Sequence, residues 1–143
     1  GKGEIQGVGD IRGTGTIMVV DDEEENIHVT REILKKLGYG VVVARNGKEA
    51  VETVQTYVGE IDLVMLDIHL PDAQGTEVYP LLERARPGLK VLVYSGFGSD
   101  DQVREILDSG IGGFIQKPFS IKELSKKIKE IMCPSRKDGR LGS

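Results

Sequence analysis

The sequence predicts an α/β fold, a parallel sheet with helices on both sides. Three observations point to it. Five short apolar runs recur along the chain, each closed by polar or turn residues. Stretches with apolar residues at helical spacing alternate with these runs. The connections are short, so each strand feeds an element that packs back on the sheet. A chain of 143 residues suits one domain with one substantial core.

Residues 1–16 carry six glycines and little apolar content, and read as a flexible leader or linker. Gly7-Val8-Gly9 lies before the first strand and is wrongly spaced to Gly13, so it is no dinucleotide fingerprint. Ile17-Met18-Val19-Val20 is the first strand, ending in Asp21-Asp22. The helix after it turns Ile27, Thr30, Ile33, Leu34 and Leu37 inward, has Glu23, Glu24 and Glu25 near its positive end, and stops at Gly38. His28 falls on its outer face. Val41-Val42-Val43-Ala44 is the second strand. Asn46 with Glu49 forms a capping-box pattern for a helix bearing Ala50, Val51 and Val54.

The third strand holds Leu63-Val64-Met65-Leu66 and runs into Asp67. An unbroken apolar run of this kind suits a strand buried on both faces. Pro71 cannot donate to a sheet, so the strand ends near Asp67. A carboxylate there lies where open α/β sheets place their ligands. The plain alternative is an aspartate that opens a loop.

A third helix, around Glu77–Ala85, is expected to bury Val78, Leu81 and Leu82, and Pro87-Gly88 is a turn. Val91-Leu92-Val93-Tyr94 is the fourth strand, ending at Ser95. Ser99 with Gln102 opens a fourth helix with Val103, Ile106 and Leu107 inward. Gly112 and Gly113 lead into the fifth strand, Phe114-Ile115-Gln116, ending at Lys117-Pro118. Ser120 with Glu123 caps a fifth helix with Ile121, Leu124, Ile128 and Ile131 inside. Residues 133–143 form a polar tail, and residues 17–132 form the folded domain.

In a parallel sheet all strand ends point one way. Asp21-Asp22, Asp67, Ser95 and Lys117 therefore converge on one edge. Singly, each has an ordinary reading as a turn or surface residue. Together at four of five strand ends they point to a site. Crowded carboxylates call for a cation, and an all-oxygen acidic site suits Mg²⁺. A lysine opposite them can hold an anion. Carboxylate, metal, lysine and hydroxyl together suit phosphoryl transfer, which depends mainly on positioning and charge neutralisation.

With these residues in place, the stretch from Ile17 to Met132 resembles the receiver domain of two-component response regulators. The matching features are the acidic pair, the Asp after the third strand, Leu70-Pro71-Asp72-Ala73-Gln74-Gly75, the strand-four Ser and Lys117-Pro118-Phe119. The resemblance implies a flavodoxin-like, doubly wound, five-stranded sheet of order 2-1-3-4-5 with five helices. It implies Asp67 as phospho-acceptor. It implies Mg²⁺, or Mn²⁺, held by the Asp22 and Asp67 side chains, the His69 backbone carbonyl and, through water, Asp21. Lys117 would contact the phosphoryl group, with a cis bond to Pro118. Ser95 and Phe114 would form a switch pair, with core packing as the alternative for Phe114. A Phe there lacks the hydroxyl of the commoner Tyr. His69 and Phe97 occupy places that tune the lifetime of the phosphate in this family, and a solvated loop position is the alternative for His69.

A net charge of −4 argues against a nucleic-acid-binding body. No run of roughly 18 apolar residues spans a membrane, no signal-peptide pattern opens the chain, and Cys133 has no partner cysteine. A cytoplasmic protein without direct membrane contact is expected. The resemblance implies a histidine kinase or histidine phosphotransfer domain as partner, and it admits a homodimer. The Gly-rich leader favours the receiver part of a hybrid sensor histidine kinase over a stand-alone response regulator. A phosphohydrolase with an Asp nucleophile is disfavoured, because His69 stands where that class carries a second Asp.

Overall fold

The computed structural model describes residues 14–73, 75–96, 104 and 112–132. Five strands, β1 (Thr16–Val20), β2 (Gly40–Ala44), β3 (Leu63–Asp67), β4 (Val91–Ser95) and β5 (Gly113–Gln116), form one sheet of order β2-β1-β3-β4-β5. Every pairing is parallel. Among the described residues there are four helices: α1 (Glu24–Lys36), α2 (Gly47–Thr56), α3 (Gly75–Ala85) and α4 (Ile121–Met132). That is one fewer than the five expected. The missing one, expected from Ser99 with Val103, Ile106 and Leu107 inward, falls outside the described residues, apart from Arg104, which is helical. Residues 1–13, Phe97 and the tail with Cys133 also lie outside them.

The sheet separates two apolar layers, as the two-residue side-chain period of a strand requires. Met18, Val20, Val64, Leu66 and Val93 face α2 and α3, where they meet Ala50, Val54, Val78 and Leu82. Ile17, Val19, Met65, Leu92 and Tyr94 face α1 and α4, where they meet Leu34, Leu37, Leu124 and Ile128. β3 lies at the centre and is buried along its whole length. β2 is an edge strand, and its valines are only half buried. Fully burying one Leu or Val contributes about 1.5–3 kcal/mol, so this double layer supplies most of the drive to fold.

The helix ends follow local chemistry. α1 closes in a Schellman turn: the Tyr39 N–H donates to the Leu34 carbonyl and the Gly38 N–H to the Lys35 carbonyl. Gly38 has φ +101°, which a side chain would strain. Ser120 and Glu123 make a reciprocal capping box on α4. Asn46 caps α2 through the Glu49 N–H at 2.7 Å, but the Glu49 carboxylate reaches the Arg45 N–H, one residue before the cap. α3 starts at Gly75 and carries Pro80 on its exposed side, where it removes one backbone N–H donor from the helix. Its inward face corrects one expectation. Val78 and Leu82 are buried, but Leu81 is 45% exposed. One residue before Leu82 it lies about 100° around the helix, and it borders a groove with Gly47, Val51 and Ala73.

Candidate functional site at the carboxyl edge of the sheet

The ends of β1, β3, β4 and β5 deliver the predicted residues to one edge. Asp21 follows β1 and is fully buried. Its Oδ1 accepts the Glu23 N–H at 2.9 Å, an Asx-type turn that sets up the start of α1. Its Oδ2 accepts the Tyr94 hydroxyl at 2.7 Å. Asp22 is exposed beside it. Asp67 ends β3 and is 6% exposed, and its Oδ1 accepts the His69 N–H at 3.0 Å.

Lys117 follows β5. Its Nζ lies 3.4 Å from Asp21 Oδ2 and 3.5 Å from Asp67 Oδ2. These distances exceed those of a tight charge-assisted hydrogen bond, so the ammonium is shared between two acids. The same Nζ sits 4.6 Å from the centre of the Tyr94 ring, a cation–π contact. The Lys117–Pro118 peptide bond is cis.

One carboxylate oxygen each from Asp21, Asp22 and Asp67 can be chosen so that all lie within 4.8 Å of one another. Three carboxylates against one ammonium leave an excess of negative charge. Burial pushes the Asp67 carboxyl above the ordinary carboxylate range; the Asp21 charge adds to this, while the His69 N–H and Lys117 oppose it. Burial also raises the Tyr94 phenol well above its ordinary range, reinforced by the charge and hydrogen bond of Asp21. The donor set is all carboxylate oxygen, which fits a hard divalent cation such as Mg²⁺.

Ser95 ends β4 and is buried. Two residues after Val93, it shares that residue's face, and Phe114, paired with Val93 on β5, is half buried against the same apolar layer. Ser95 and Phe114 thus lie on one side of the sheet while Tyr94 lies on the other. The His69 side chain is exposed, as is His28.

A family model described as the response regulator receiver domain matches residues 17–129. The chain belongs to the response regulator receiver domain family. It is a phosphoacceptor signalling domain in the two-component class. The receiver is 30% identical over 129 residues to the sensor kinase CckA of Brucella abortus (strain 2308), covering 90% of this chain and 14% of the kinase. It is 37% identical over 116 residues to the aerobic respiration control sensor protein ArcB of Escherichia coli (strain K12), covering 80% of this chain and 15% of that protein. It therefore spans about a seventh of these sensor proteins. A receiver domain from Methanospirillum hungatei JF-1 superposes with TM-score 0.78 at 30% identity, covering 88% of this chain and 99% of that one. The receiver domain of the hybrid histidine kinase CckA superposes with TM-score 0.68 at 27% identity, covering 82% and 99%.

Two receiver residues bear on the site without having been singled out in the sequence. Tyr94 reads there as one more apolar strand residue. The available signal is that a phenol one place before a strand end, if buried, needs a partner for its hydroxyl. Asp72, in the loop after Asp67, caps the start of α2: its carboxylate accepts the Gly47 N–H at 2.8 Å and the Lys48 N–H at 3.0 Å. A Cβ on Gly47 would lie 3.0 Å from Val78 Cγ2 and 3.3 Å from Asp72 Oδ1, so this close approach is suited to glycine.

Proposed function

We propose that Asp67 of this receiver accepts a phosphoryl group from a phosphohistidine of a histidine kinase or histidine phosphotransfer domain, in a Mg²⁺-dependent reaction. The observation that carries the reading is Lys117 shared between Asp21 and Asp67 beside the three-carboxylate cluster. Asp22 and Asp67 would hold the metal by their side chains and His69 by its carbonyl, with Asp21 acting through water; Mn²⁺ fits the same set. The bound ion supplies charge neutralisation for the phosphoryl oxygens.

An Asp67 oxygen attacks phosphorus in line, the new P–O bond forms, and the P–N bond to the donor imidazole breaks. Lys117 moves from its shared position to a phosphoryl oxygen, exchanging one anion for another. The Ser95 hydroxyl follows toward the phosphoryl group, and Phe114, on the same face, turns into the vacated space. The face around β4 and β5 then changes its protein contacts. Water later hydrolyses the acyl phosphate and returns Asp67.

The similarity to CckA and ArcB, both sensor proteins, supports a place as the receiver part of a hybrid sensor histidine kinase. A stand-alone regulator is the alternative, and a cytoplasmic setting fits either. No helix among the described residues is long and apolar enough to cross a membrane. The phosphohydrolase reading is disfavoured by His69, whose exposed side chain is turned to solvent rather than packed as an acid beside Asp67. Incubation with acetyl phosphate and Mg²⁺ tests the proposal: one phosphoryl group is expected by intact mass. No adduct, or an adduct formed equally well in EDTA, contradicts it.

A further inference from the structure

Tyr94 is fully buried, yet it touches both charged partners of Asp67. Its hydroxyl donates to Asp21 Oδ2 at 2.7 Å, and its ring face lies 4.6 Å below Lys117 Nζ. The Phe119 ring, two residues past Lys117, meets it edge-on at 6.3 Å and 72°. Strand alternation explains the reach. Tyr94 sits on the face opposite Ser95, pairs with Asp67 in the sheet register, and extends its phenol to the carboxyl edge under the acids.

We propose that Tyr94 is a positioning residue of this receiver: it orients Asp21 for the metal and supports Lys117 for the phosphoryl group. The proposal rests on the metal-dependent phosphoacceptor reading above. Asp21 has one oxygen fixed by the Glu23 N–H and the other by the Tyr94 hydroxyl, so the carboxylate cannot rotate freely. Its remaining lone pairs stay turned toward the cluster it shares with Asp22 and Asp67. Outer hydrogen bonds of this kind set metal affinity by orienting the acids that face the ion. The phenol also answers a second need. When Lys117 leaves for a phosphoryl oxygen, Asp21 loses its ammonium while still buried. The Tyr94 hydroxyl then remains as a donor, which a buried carboxylate requires. The ring contributes separately, as a flat, weakly negative support over which the ammonium can shift without leaving the site.

The two contacts separate by substitution. Tyr94→Phe keeps the ring and removes the hydroxyl; Tyr94→Leu removes both. Free Mn²⁺ is followed by electron paramagnetic resonance in titrations of the full chain, with folding checked by circular dichroism. Tyr94→Phe should raise the Kd for Mn²⁺ on the order of tenfold. Tyr94→Leu should show at least that loss and, with Mn²⁺ saturating, take up phosphoryl from acetyl phosphate more slowly than Tyr94→Phe. A folded Tyr94→Phe whose Kd stays within about twofold of wild type, or tightens, overturns the hydroxyl's role. Equal saturated rates in the two variants overturn the ring's role. Asp21→Ala, which removes the acceptor of the Tyr94 hydroxyl, gives a second comparison, also usable if Tyr94→Phe alone does not fold. In that background adding Tyr94→Phe should change Kd by no more than about twofold, because the hydroxyl acts through Asp21; a full additional loss overturns the assignment. The wild-type titration separates the two levels. No Mn²⁺ binding by wild type defeats the underlying metal-site reading, whereas wild-type binding with an unaffected Tyr94→Phe defeats only the role of Tyr94.

Discussion

At the scale of the residue, Asp67 is held against its own stability. It lies 6% exposed at the end of a buried strand, with its carboxyl raised chiefly by burial. The folded state therefore binds this proton more tightly than the unfolded chain does. Its contribution to stability is favourable at low pH and is lost as pH rises from the unfolded value through the raised folded one. Above that window the folded protein carries a crowded anion, relieved in part by Lys117 and the His69 N–H. Asp67→Asn removes the charge and keeps an acceptor for both donors. In EDTA at neutral pH it should raise Tm by about 3–6 °C, and the gain should shrink as pH falls through the window. A lower Tm at neutral pH, by differential scanning calorimetry, would show that the site is not under electrostatic strain. The acids at 21, 22 and 67 and Lys117 were legible in the sequence because each stands just past an apolar run. Tyr94 was not. It stands inside its run, and only the buried end of its ring distinguishes it from core.

At the scale of the element, the loop after β3 is tied to another helix. The Asp72 carboxylate accepts hydrogen bonds from the Gly47 and Lys48 N–H groups at the start of α2, and those hydrogen bonds lower its carboxyl below the ordinary range. A depressed folded value stabilises above the unfolded pKa, and the benefit is lost as pH falls through the folded one. Solvent exposure of Asp72 reduces the electrostatic part, so the cap itself is the larger effect. Losing a helix cap costs about 1 kcal/mol. Asp72→Ala should therefore lower Tm on the order of 4 °C at pH 7, with a smaller difference at pH 3; equal Tm values at pH 7 would mean the loop is held by other contacts. This link spans 25 residues in sequence, so no local spacing announces it. Asn46 and Ser120, by contrast, cap their own helices from three residues away and were legible. Leu81 was misread for a related reason. An apolar residue beside an inward stripe is indistinguishable from the stripe until a neighbouring helix defines the groove.

At the scale of the whole molecule, the sheet converts sequence order into a site. Parallel strands bring residues as far apart as Asp21 and Lys117 within 3.4 Å without any local contact between them. The existence of strands and helices followed from apolar periodicity, and the common edge followed from parallel pairing. The strand order did not follow from spacing, since short connections permit more than one winding; it came through the likeness of the motifs to receivers. At this edge Asp67 is proposed to be a metal-dependent phosphoacceptor. Borohydride reduces an aspartyl phosphate to homoserine, and peptide mass mapping then locates it. After acetyl phosphate and Mg²⁺, homoserine is predicted at position 67 alone. Homoserine at position 21, 22 or any other carboxylate, or none in protein that binds Mg²⁺, would contradict it.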